Sequence, residues 1–134
     1  MNPASWWQQA ALVAVGGALG SVGRFAVVSG LARIPAVHGL PWGTFAVNLI
    51  GSFLAGITFV FLQSRGINEP WWRALVMIGT IGGFTTWSSL VVEVYVLSRN
   101  ANPAWAGGYV LASLACSVIL LLAGMVLGQG LFRG

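Results

Sequence analysis

Apolar residues fill this chain in four long blocks, and charges and prolines collect mainly in the short stretches between them. No formal charge falls between Met1 and Arg24, Arg33 and Arg65, Arg73 and Glu93, or Arg99 and Arg133. Each gap accommodates the ~20 apolar residues a helix needs to cross the hydrocarbon core of a bilayer. The pattern predicts an all-α integral membrane protein, with four spans over about 6–29, 42–63, 71–97 and 105–128 forming one transmembrane domain, 1–134. Trp6 and Trp7, and again Trp71 and Trp72, stand where an aromatic belt meets the headgroups.

The third block departs from the pattern. Within it, Gly79-Thr80-Ile81-Gly82-Gly83-Phe84-Thr85-Thr86-Trp87-Ser88-Ser89 holds three glycines and five hydroxyl residues. Glycine lowers helix propensity and Ser/Thr side chains compete for backbone hydrogen bonds, so a break into two half-helices is expected. In hydrocarbon an open backbone is tolerated only where protein or a watery cavity covers it, and carbonyls released there can coordinate a cation. A second reading is that the small residues only let a neighbouring helix approach closely.

Polar residues also align on the flanking spans. Thr44, Asn48 and Ser52 follow one another at intervals of four and stack on one side of span two. An asparagine in mid-membrane is costly unless its amide is paired or faces water, so Asn48 marks either a functional position or an interhelical hydrogen bond. Tyr109, Ser113 and Ser117 repeat the spacing on span four, in a stripe about three turns deep. The alternative for those serines is local bonding to the carbonyl four residues back. Gly16, Gly17, Gly20 and Gly23 give span one a smooth face, and Arg24 at its end either snorkels to the interface or forms an electropositive entrance. Glu93, six residues before Arg99, is the one acid that can lie within the membrane, as a paired or interfacial carboxylate or as a proton carrier.

Composition narrows the function classes. Of 134 residues, 57% are hydrophobic and 6% charged, with mean hydropathy +0.87; a soluble domain carries roughly 25% charged residues. The formal net charge of +4 comes from six arginines scattered singly at span ends, with no cluster to neutralise a run of phosphates. Cys116, alone and deep in the last span, reads as a small buried hydrophobe. His38 lies in a loop with Pro35, Gly39 and Pro41 and no ligand partner in sequence, so no metal site is expected there. Met1 to Gln9 lacks a basic n-region and a small-residue cleavage site, and the first span is expected to be retained. With no Ser/His/acid, Cys/His or metal-ligand constellation, no enzyme is expected.

Collected together, Asn48, Thr85, Thr86, Ser88, Ser89, Tyr109, Ser113 and Ser117 are hydrogen-bond donors without formal charge. Such donors suit a small anion that must exchange its hydration for protein contacts and still leave quickly. Positive edges of aromatic rings add to them.

Three stretches carry a resemblance: Gly-Gly-Ala-Leu-Gly-Ser-Val-Gly-Arg (16–24), Gly-Thr-Phe-Ala-Val-Asn-Leu-Ile-Gly-Ser-Phe (43–53) and Gly-Gly-Phe-Thr-Thr-Trp-Ser-Ser (82–89). With the four spans and the tyrosine–serine stripe, the chain resembles the CrcB/Fluc family of fluoride channels over nearly its whole length. The resemblance implies passive fluoride export across a bacterial inner membrane, and hence resistance to fluoride. It implies an antiparallel, dual-topology homodimer with two fluoride pathways and a structural sodium ion, Na+, at its centre, held by carbonyls matching Gly82 and Thr85. It assigns the fluoride pathway to Asn48 and its neighbour Thr44 on span two, to Tyr109, Ser113 and Ser117, and to Arg24. The family usually reads Thr-Thr-Phe-Ser-Thr-Phe where this chain has Thr85, Thr86, Trp87, Ser88, Ser89 and Leu90. Trp87 keeps a ring edge and gains an indole N–H, whereas Leu90 offers only an aliphatic wall.

Charge placement bears on assembly. Arg65, Arg73 and Arg133 fall on the side of both termini; Arg33 and Arg99, with Arg24 if it reaches the interface, fall on the other. So small a positive-inside bias predicts insertion in both orientations and pairing of the chain with an inverted copy; a heterodimer with a second subunit is the alternative assembly. Two rival functions are a small dual-topology proton-coupled exporter of cationic compounds and a non-conducting accessory subunit. The first calls for a glutamate in span one, which holds no acid.

Overall fold

The structure, a computed structural model, describes residues 3–34, 39–67, 70–100 and 102–132. Residues 1–2, 35–38 with Pro35 and His38, Asn68 and Glu69, Ala101, and Arg133 and Gly134 lie outside the described residues. Four helical stretches are long and apolar enough to cross a membrane: Ser5–Ala32, Trp42–Ser64, Pro70–Asn100 and Pro103–Phe132. In chain order the elements are α1 (Pro3–Ala32), α2 (Trp42–Ser64), α3 (Pro70–Trp72), a π-helical segment (Arg73–Ile81), α4 (Gly82–Phe84), α5 (Trp87–Asn100) and α6 (Pro103–Phe132). The elements from α3 to α5 make up the third span. All four spans fall where the charge gaps put them and run a few residues beyond the expected ends.

Lipid explains the distribution of side chains. Phe25, Leu111 and Val126 are exposed, and among the described residues the largest side chains buried outright are Val47 and Val60. A helix apolar all round is stable when hydrocarbon replaces water around it. What binds the helices to one another is close backbone approach. α1 lies along the π-helical segment and α4, while α2 lies along α6. A methyl at Gly20 would run into the carbonyl oxygen of Thr80, and one at Gly56 into that of Leu121. Small residues permit such approach, and dispersion and packing hold it in place of a hydrophobic driving force.

The third span resolves the two readings of its glycine-rich stretch by dividing it. Gly79, Gly82 and Gly83 remain helical, and a side chain at Gly83 would meet the Gly17 backbone of α1. Gly79 and Gly83 serve packing against α1. The interruption is confined to Thr85 and Thr86: Thr85 is extended, with φ −79° and ψ 160°, and α5 begins at Trp87. Just before it, the wider π turn shows in Thr80, whose hydroxyl donates to the Leu75 carbonyl five residues back (2.9 Å).

Candidate functional site

Backbone groups that a break in mid-membrane takes out of the helical pattern need partners from elsewhere. Span two supplies them through one side chain. The Asn48 Nδ2 group donates to the Thr86 carbonyl (3.0 Å), and its Oδ1 accepts from the Thr86 N–H (2.8 Å). The amide thus replaces the bond that the Thr86 N–H would have made in a continuous helix and adds a donor to the Thr86 carbonyl. Asn48 is the interhelical hydrogen bond that the sequence left open, made to backbone rather than to another side chain.

The restart of the helix is capped locally. Thr86 is the N-cap of α5: its Oγ1 accepts from the Ser89 N–H (3.2 Å) and donates to the Ser89 hydroxyl (3.0 Å). Thr85 closes the other side, with its N–H and its hydroxyl both donating to the Ile81 carbonyl (3.0 Å each). Its methyl faces Gly51 of α2, where a Cβ would collide with it. These bonds redirect two amides. In an uninterrupted helix the Thr86 N–H would reach the Gly82 carbonyl and the Ser89 N–H the Thr85 carbonyl. Here the first goes to Asn48 and the second to Thr86 Oγ1, so both carbonyls lose those partners.

Beside the break lies a pocket of about 280 Å³ lined by Asn48, Ser52, Thr85, Thr86, Trp87, Leu90, Ser113, Leu114 and Ser117. It brings together most of the side chains singled out in the sequence. Ser88 is exposed on α5, Ser89 is held by the cap, and Arg24 is half-buried on α1; none of these three lines the pocket. Trp87 is 64% exposed, whereas Leu90 is buried against Leu97, Ala106 and Tyr109. Most hydroxyl protons in the pocket are already committed. Ser113 donates to the Tyr109 carbonyl (2.7 Å) and Ser52 to the Asn48 carbonyl (2.7 Å), each four residues back. For Ser113, local bonding therefore coexists with a place in the aligned stripe.

At the far end of the stripe, where Tyr109 lies about 12 Å along α6 from Ser117 at 1.5 Å per residue, stands Glu93 of α5. Thr44 donates to its Oε1 (2.6 Å), and the Tyr109 phenol proton is shared between its Oε2 (3.3 Å) and the Pro41 carbonyl (3.1 Å). Glu93 is accordingly the paired carboxylate of the alternatives above. A second pocket of about 250 Å³, with Thr44, Glu93 and the turn 39–43 in its wall, opens on this end. The link from Glu93 to span two and the Pro41 carbonyl was not legible in the sequence, because it joins residues far apart in the chain. A threonine at position 86, ahead of the apolar run of α5, is a readable N-cap signal. Among the described residues no cluster of His, Cys, Asp and Glu has the makings of a metal site.

A four-span protein whose third helix is interrupted in mid-bilayer, beside a polar seam between two other spans, falls in the discontinuous-helix class of membrane transport proteins. More particularly, this chain belongs to the CrcB family: residues 11–125 match the family described as "CrcB-like protein, Camphor Resistance (CrcB)". Among its relatives is the "Fluoride-specific ion channel FluC" of Xanthomonas euvesicatoria pv. vesicatoria (strain 85-10), 44% identical over 131 residues, 98% of each chain. The protein of that name from Xanthomonas axonopodis pv. citri (strain 306) is 45% identical over 132 residues, again 98% of each. That of Agrobacterium fabrum (strain C58 / ATCC 33970) is 42% identical over 123 residues, 91% of this chain and 97% of the relative.

Proposed function

We propose that this protein is a fluoride-selective channel giving passive fluoride export across a bacterial inner membrane, and so resistance to fluoride toxicity. The observation that carries the reading is the seam of uncharged hydrogen-bonding side chains of α2 and α6, running from the pocket at Ser117 and Asn48 to Tyr109 and Thr44, where it ends against the Glu93 carboxyl group. Fluoride itself comes from the name its relatives bear.

The chemistry follows from which donors are free to turn toward an anion. A primary amide has two N–H bonds, so Asn48 can hold Thr86 with one and offer the other. The Ser117 hydroxyl and the Trp87 indole N–H have no protein acceptor among the described residues, and both residues line the same pocket. The Ser113, Thr44 and Tyr109 hydroxyls are released by rotation about one bond, exchanging one acceptor for another. A pathway in which no cation lies within hydrogen-bonding reach binds fluoride weakly enough to let it go.

Sodium is the resident cation of this reading, and it would be held by the Gly82 and Thr85 carbonyls. They fit: both are neutral oxygens deprived of an amide partner, the type of donor that unwound membrane helices offer to Na+. Gly82 is exposed on the outside of the chain, and two oxygens are few for a hard cation. An inverted second copy would cover the ion and bring two carbonyls more, which supports the antiparallel homodimer. Lipid surrounds the rest.

The test is fluoride efflux from liposomes that contain only this purified chain, with chloride as control. Fast efflux of fluoride but not chloride is the expected result. No efflux from a well-folded preparation would sink the reading of a self-sufficient channel and leave the accessory or heterodimeric subunit.

A further inference from the structure

We infer that Asn48 is the positioning residue for the cation site as well as a wall of the anion pocket, so that the two sites are coupled through one side chain. The inference rests on the reading above, in which Gly82 and Thr85 hold a cation.

The geometry is direct. Asn48 Oδ1 lies 2.8 Å from the Thr86 nitrogen, and that N–H is the group the Gly82 carbonyl would otherwise accept. Without the Asn48 side chain, the Thr86 N–H in mid-membrane has no water to turn to, and its nearest backbone acceptor is the helical one. Recapture by Gly82 would extend α4 by a residue and take a cation ligand out of use. The second bond, from Nδ2 to the Thr86 carbonyl at 3.0 Å, keeps the same residue from rotating back. Two neighbours fix the clamp in place: the Ser52 hydroxyl donates to the Asn48 carbonyl (2.7 Å), and Gly51 seats the Thr85 methyl. Asn48 also lines the pocket with Ser113, Ser117 and Trp87. A side chain held against the break on one side and facing the pocket on the other transmits any shift of the break to the pocket. Coupling of this kind is reciprocal.

Two substitutions separate the clamp from the pore. Asn48→Ala removes both bonds. Asn48→Asp keeps the acceptor for the Thr86 N–H, and with it the freed Gly82 carbonyl, but puts a negative charge beside the anion route. The readout is thermal unfolding of the full-length purified protein, prepared sodium-free and titrated with NaCl against N-methylglucamine chloride, with fluoride efflux measured separately. Sodium that binds only the folded state raises the melting temperature by an amount that grows with the logarithm of its concentration over Kd, so the titration reports the apparent affinity. The expected order of apparent sodium affinity is wild type, then Asn48→Asp within about threefold, then Asn48→Ala at least tenfold weaker, while both variants lose fluoride flux.

Wild-type sodium affinity in Asn48→Ala overturns the inference and makes Asn48 a pore residue alone. Asn48→Asp as weak as Asn48→Ala also overturns it, since the retained acceptor would then be without effect. Should Asn48→Ala fail to fold, a sodium response in Asn48→Asp more than threefold weaker than wild type is the overturning result. A wild-type protein indifferent to sodium would instead remove the cation site itself, and with it this inference, while leaving fluoride conduction to its own assay.

Discussion

Helix α2 makes two seams with opposite logic. In its second half, toward α6, it is closely packed backbone: Gly56 meets the Leu121 carbonyl and Gly124 meets that of Phe53. Toward the break it is specific, with a single amide making two hydrogen bonds to a single residue. The first seam tolerates no added atom and asks for no particular chemistry. The second has room for side chains and depends on their donors and acceptors. A membrane protein can thus fix its architecture with glycines and reserve its polar groups for the place where backbone has to stay open.

The sharpest way to break that contrast is Gly56→Val. Its branched side chain has nowhere to go but into the α6 backbone, and overpacking of a closed contact costs on the order of 1–3 kcal/mol or more. We expect no monodisperse protein by size-exclusion in detergent; a normal profile would mean that the α2–α6 seam opens readily. Leu90→Phe adds volume to the buried cluster with Leu97, Ala106 and Tyr109, for an expected loss of about 1–3 kcal/mol. Unchanged stability with higher fluoride flux would show that the ring swings into the pocket instead. Thr86→Ala leaves the Asn48 bonds to the backbone intact and removes only the cap on Ser89, worth about 1 kcal/mol. A melting temperature far below that expectation would transfer the weight of the break from Asn48 to the cap.

Smaller effects test the pocket and the packing control. Trp87→Phe keeps a ring edge and deletes the indole N–H; fluoride efflux should fall roughly two- to tenfold, the worth of a net hydrogen bond of ~0.5–1.5 kcal/mol. Flux equal to wild type would take that donor off the route. Gly17→Ala is the mildest change, because a methyl there meets nothing within 4 Å in the chain. Its stability should stay within about 0.5 kcal/mol. A large loss in the assembled protein would place a second copy against that face.

Much of the fold could be read from charge spacing alone, because four uncharged stretches in a chain of this size leave few alternatives in a bilayer. The location of the break was less legible. Composition marks the whole stretch from Gly79 to Ser89 as a poor helix former, yet its glycines stay helical, Gly79 and Gly83 in contact with α1, and only Thr85 and Thr86 are open. The site was legible as a set of polar residues at four-residue spacing. Their partners were not. Whether Ser113 donates to a neighbour or to its own helix, and whether Glu93 pairs with Arg99 or with Thr44 and Tyr109, depends on helix rotation, which spacing within one helix does not determine.

The position of Asn48 in the sequence bears on how the protein is made. Chains are synthesised from the N-terminus, and segments of a growing chain settle in the order in which they appear. Span two leaves the ribosome ahead of span three, so the amide that will hold Thr86 is already in the bilayer when residues 82–90 arrive. The interrupted helix therefore never has to wait in lipid for a partner still to be translated. A rearranged gene with span two moved behind span three would encode the same contacts and lose that advantage in biogenesis.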